Sequence, residues 1–179
     1  NMNIYWDHAF FTVGAVTAPI EVTTLQPVAA DFHYRGFSEL YRKGGRFGPH
    51  WFDYASVSMQ SPWRPIVGAY TRYGSVLDLV SESDDIYPIM GPGDEITLRF
   101  DAAKAPPLPE GWTRDFMIYS DGWIKDADLN TADGWRVEPL PFHAMSEYPY
   151  GPSEVYPHPD IVRRYHTRAP TPMAVLGGG

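Results

Sequence analysis

Glu95-Ile96-Thr97-Leu98-Arg99-Phe100-Asp101 alternates apolar and polar side chains. Ile96, Leu98 and Phe100 point one way, Thr97 and Arg99 the other, which is the pattern of a strand with one wet face. Gly91-Pro92-Gly93-Asp94 precedes it and reads as a turn. Working outward, short runs rich in β-branched and aromatic residues occupy 4–6, 10–16, 20–24, 30–34, 51–59, 86–89, 113–120 and 136–139, and each predicts a strand. The breaks between them come from 18 prolines and 16 glycines spread along 179 residues, punctuation that long helices do not survive. Two short helices are predicted. One covers 75–81 with Ser75 as its N-cap, and the other covers 159–166 with Pro159 first and Arg163, Arg164 and His166 near its end. The expectation is a mainly β fold: an antiparallel β-sandwich of jelly-roll type with one or two short helices and extended Pro-rich ends. It forms one domain over 1–168, followed by a Pro- and Gly-rich tail over 169–179.

Hydrophobic residues make up 44% and aromatics 15% of the chain, enough for a packed core and against intrinsic disorder. Twenty-two acids against fourteen Lys and Arg give a net charge of −8. That disfavours general nucleic-acid binding, which needs a basic face, and electrostatic docking on anionic lipid. The absence of cysteine removes disulfides, thiolate metal sites and cysteine nucleophiles. No window approaches the length of an apolar membrane span. The opening Asn1-Met2-Asn3 runs at once into Ile4-Tyr5-Trp6, which suggests a piece of a longer chain.

The sharpest local pattern is Asp121-Gly-Trp-Ile-Lys-Asp126-Ala-Asp128-Leu-Asn130-Thr-Ala-Asp133-Gly134. Oxygen side chains at Asp126, Asp128 and Asn130 have the alternate spacing of a calcium loop, and Asp121 or Asp133 offers a further ligand. The glycine and terminal Glu of a complete EF-hand loop are missing, and a solvated turn would use the same residues. Trp112, Trp123 and Trp135 cluster near this loop. They read either as a surface for a partner or a sugar ring, or as core filler. His33 follows Asp31 and His143 precedes Glu147, but none of the six histidines has metal-ligand spacing. Serine-nucleophile and phosphate-loop signatures are absent. Arg35, Arg42, Lys43 and Arg46 form a basic segment that reads as a solvated, glycine-flanked loop, or as a patch for an acidic partner.

Several phrases, in order, carry a resemblance. They are Asn1-Met-Asn-Ile-Tyr-Trp-Asp7, Phe32-His-Tyr-Arg-Gly-Phe-Ser38, Tyr70-Thr-Arg-Tyr-Gly74, Met90-Gly-Pro-Gly-Asp-Glu95 and Leu108-Pro-Glu-Gly-Trp-Thr-Arg-Asp115. Val137-Glu-Pro-Leu-Pro-Phe-His143, Met145-Ser-Glu-Tyr-Pro-Tyr150 and Tyr165-His-Thr-Arg168 complete the set. The chain resembles the C-terminal region of bacterial FG-GAP repeat proteins of the cartilage-acidic-protein type, which carry an ASPIC/UnbV segment. The resemblance implies an exported protein, periplasmic or extracellular, with a propeller-like part upstream. It supplies no catalytic residues. Relatives place Asp after the Trp of the acidic loop and Gly before its second Asp, where this chain has Ile124 and Ala127. That departure removes one potential calcium ligand.

Three functions follow as expectations. The first is a non-catalytic protein-binding or assembly module of an exported protein, an extrinsic subunit of a membrane-associated complex among its forms, with calcium as a stabilising ion. Its partners would be other subunits or the upstream propeller. The second is a carbohydrate-binding module. The third is a metal-assisted hydrolase built on His33, His143 or converging acids.

Overall fold

The computed structural model describes residue 14, residues 19–60 and 65–125, residue 127 and residues 130–169. The strand expected at 4–6, the one expected at 10–16 apart from residue 14, the ligands Asp126 and Asp128, and all of the tail beyond 169 lie outside the described residues. The protein is mainly β. β1 (Pro27–Tyr34), β2 (Phe37–Arg42), β3 (His50–Ser58), β4 (Gly74–Ser75) and β5 (Asp94–Phe100) form two antiparallel sheets, and α1 (Pro159–Tyr165) follows late in the chain. One sheet has the order β4-β1-β5, and the other is the β2-β3 hairpin.

The three-stranded sheet is built on the alternation that the sequence displays. Ala30 and Phe32 of β1 stand opposite Leu98 and Ile96 of β5, and on the other face Asp31 and His33 stand opposite Thr97 and Glu95. Ala30 and Phe32 are buried against Val76, Leu79 and Tyr165, with Ile86, Ile96 and Ile161 packed around them. Burying Phe32 alone is worth about 1.5–3 kcal/mol. A second cluster of Tyr70, Val137 and Leu140 takes Ile66, Ile89, Tyr156 and Val162. α1 serves both clusters, because Ile161 and Tyr165 project into the first and Val162 into the second.

A buried clasp ties the late chain to this core. Tyr70 and Arg168 exchange both backbone hydrogen bonds, at 2.8 and 3.0 Å. The Arg168 guanidinium meets the Asp94 carboxylate at 2.5 Å, with Asp94 only 1% exposed. It also lies 4.2 Å from the centroid of Tyr73 and near Phe32 and Tyr70. Asp94 further accepts hydrogen bonds from the Tyr73 hydroxyl at 2.7 Å and the Gly91 N–H at 2.6 Å. A buried carboxylate with this many donors is a compensated charge.

Several expected elements are corrected. The helix at 75–81 shrinks to a single 3-10 turn, Leu77–Leu79. Ser75 is still paired with Asp31, and Val76 N–H still donates to Ala30, so the chain leaves the ladder too late for a longer helix. Residues 20–24, 86–89 and 113–120 form no strand, and Arg136 makes only an isolated bridge to Val67. Ile89 is bonded instead to Thr71, whose N–H donates to the Ile89 carbonyl and whose hydroxyl accepts from the Ile89 N–H. The segment expected to be a solvated loop at 35–46 contains β2. The two sheets do not bury a common face. Beyond Ser38 the hairpin is exposed on both sides, with exposed or half-exposed residues throughout β3; the mainly β expectation is met, and the described residues do not confirm a sandwich.

Candidate functional site

The hairpin departs from the sheet at a joint made by backbone geometry. The Gly93 carbonyl accepts hydrogen bonds from Arg35 and Gly36, at 2.9 and 3.0 Å. Gly36 has φ +99°, and a Cβ there would stand 2.9 Å from the Ser58 carbonyl oxygen. Both facts require glycine. Arg35 then braces the joint. It pairs with Glu95 at 3.2 Å, donates to Ser38 at 3.1 Å and to the Tyr54 carbonyl, and lies 4.0 Å from the Tyr54 ring centroid. A register irregularity after Ser38 leaves 54–56 without partners on β2. Asp53 closes this bulge by accepting hydrogen bonds from the Ala55 N–H and the Ser56 hydroxyl, both at 2.9 Å, and these hold its carboxyl below the usual range. The bulge turns the Tyr54 hydroxyl back onto Glu95 at 3.2 Å.

Beyond the bulge each face carries a directly opposed apolar pair, Tyr41 with Trp51 on one and Leu40 with Phe52 on the other. All four are exposed, as are Tyr54 and Val57. Arg42 ends β2, and the connecting turn carries Lys43 and Arg46. Lys43 lies 4.5 Å from the Trp51 ring, Arg46 lies 5.6 Å from Phe47, and Phe47 is 93% exposed. From Tyr41 to Phe52 the hairpin carries Tyr, Trp, Phe and Arg and no acid, the composition of interface hot spots. The sequence concealed it because glycines and basic residues look like a solvated turn. The usable signal was the aromatic pairing of 40–41 with 51–52.

The acidic loop distributes its oxygens. Asp121 accepts a hydrogen bond from the Ser83 hydroxyl at 2.5 Å and faces His143 Nε2 at 3.4 Å. Asp133 adopts φ +49° and lies near Lys125 and Tyr148. Asn130 is exposed. Among the described residues no group of three or more His, Asp or Glu side chains is arranged to hold a metal ion, and Asp126 and Asp128 lie outside them. Lys125 anchors the loop by donating to the carbonyls of Arg136, Val137 and Pro139, at 3.1, 2.7 and 3.2 Å. Burial pushes its ammonium pKa down.

The three tryptophans stand in different settings. Trp112 is half-buried, Trp123 packs edge-on against His143 at 5.6 Å, and Trp135 is exposed and lines an open depression of about 400 Å³ with Val67, Arg136 and Glu138. The histidines are divided as well. His33 lies between Asp31 at 3.1 Å and Glu95 at 3.5 Å. His143 lies between Asp85 at 2.8 Å and Asp121, and the hydrogen bond to Asp85 is the main cause of its raised pKa. The two clusters share no residue, so these histidines and acids do not gather into one centre. No helix among the described residues is long and apolar enough to cross a membrane. No family model, curated protein or solved structure matches the chain.

Proposed function

We propose that this chain is a non-catalytic protein-binding, assembly module of an exported protein of the ASPIC/UnbV type, working as a subunit or extrinsic part of a larger complex. The observation that carries the reading is the β2-β3 hairpin, which exposes opposed aromatic and aliphatic pairs on both faces while its base is tied to the core sheet. Water-facing apolar surface on this scale is retained where a partner covers it. The test places a photo-crosslinking residue at Phe47 or Trp51 in cells that make the full-length protein. Protein adducts are expected from both hairpin positions and not from Thr97 on the polar sheet face. Equal adducts from all three positions would overturn the reading.

A carbohydrate-binding reading is favoured by one observation, the exposed Trp135 ring beside Arg136 and Glu138 in an open depression. Titration of tryptophan fluorescence with a glycan panel checks it. A response lost in Trp135→Ala supports it, and no response to any glycan removes it.

A further inference from the structure

We infer that the hairpin's partner is a second copy of this chain, and that the surface it meets is the exposed segment Phe116-Met117-Ile118-Tyr119 with its acidic surroundings. The inference rests on the protein-binding reading above and adds the identity of the partner. Two complementary surfaces on one molecule carry it.

The first is the hairpin end. Between residues 41 and 52 the chain holds Arg42, Lys43 and Arg46 and no acid. The rest of the molecule therefore has a net charge of −11 within a total of −8. Lys43 lies over Trp51 and Arg46 over Phe47, Arg42 follows Tyr41 in the chain, and all three rings are exposed.

The second surface is opposite in charge and alike in apolar content. Phe116, Met117, Ile118 and Tyr119 are 82–97% exposed, and Ile124 is also exposed. Asp115 and Asp121 flank the four residues in sequence. The hydrogen bond from the Ser83 hydroxyl to Asp121 brings in the acids that flank Ser83, Glu82 and Asp84. Thus an acid-rimmed apolar run faces solvent on the same chain that offers a cation-rimmed aromatic hairpin. Opposite charges on the rims steer encounter and fix register, while the apolar centres supply affinity. At about 0.1 M salt charges are screened over roughly 10 Å, so the hairpin end acts on its own sign rather than the molecule's.

Sedimentation velocity of the intact chain tests this. In about 0.05 M salt the wild type is expected to sediment above monomer mass, and in about 0.5 M salt its association weakens about tenfold or more. Arg42→Glu/Lys43→Glu/Arg46→Glu is expected to be monomeric at both. So is Glu82→Lys/Asp115→Lys, while a mixture of the two variants associates, because the reversed charges again complement. Near-UV circular dichroism reports whether each variant keeps its packing; if one does not, the salt series on the wild type still decides. A wild type that stays monomeric at every salt overturns the inference, as does a mixture that fails to associate. Hairpin crosslinks to a different protein, or binding only to anionic vesicles, overturn it too. The crosslinks would leave the protein-binding reading standing, and the vesicle result would not.

Discussion

Arg168 and Lys43 each place a cation over an aromatic ring, at 4.2 Å from Tyr73 and 4.5 Å from Trp51. The surroundings separate them. Arg168 is mostly enclosed, ion-paired with a buried carboxylate and hydrogen-bonded to the Thr71 carbonyl at 2.9 Å. Lys43 and its ring face water at the end of a hairpin. The same contact holds the fold together in one place and leaves aromatic surface exposed in the other. Burial, not the contact, decides whether it contributes to folding or remains for a partner.

The largest effect is expected at the enclosed end. Arg168→Met strands the Asp94 carboxylate and is expected to cost about 3–5 kcal/mol in urea denaturation. A loss below about 1 kcal/mol would place the clasp in the same class as a surface pair. Next in size is the joint between the two regions. Gly36→Ala meets a carbonyl and an unfavourable φ, and should cost about 1–3 kcal/mol in the same measurement. At the hairpin, Lys43→Met and Phe52→Ser should each move stability by no more than about 0.5 kcal/mol while weakening association.

Two histidines sharpen the contrast through pH. His166 is buried, with Nδ1 making no hydrogen bond among the described residues, and desolvation lowers its pKa from 6.5. The unfolded chain then binds the proton more readily, so this contribution is full above 6.5 and lost as pH falls through the lowered value. His143 is the reverse. Its bond to Asp85 raises its pKa, so its contribution is full below 6.5 and lost as pH rises through the raised value. Melting curves across this range should lose their acid-side decline in His166→Gln and their alkaline-side decline in His143→Gln.

What could be read from sequence depended on how local the cause was. β5 and α1 are announced by their own residues: alternation from Ile96 to Phe100, and Pro159 ahead of Ile161 and Val162. β1 and β3 follow from runs of β-formers. β2 was hidden because its apolar residues gain meaning only from the partners that β3 places opposite them. The run at 113–120 has strand composition yet no ladder, since composition cannot supply a neighbour. Arg168 with Asp94, and His143 with Asp85, join residues far apart in sequence that no spacing rule connects. The acidic loop showed its ligand types but not where Asp121 turns, which depends on Ser83 and His143.

The ammonium of Lys125 gathers three main-chain carbonyls much as a bound ion would. Being tethered, it cannot be washed out by dilution or stripped by a chelator. That corner should keep its shape in ion-poor surroundings, and acetylation of this one amine would be the way to loosen it.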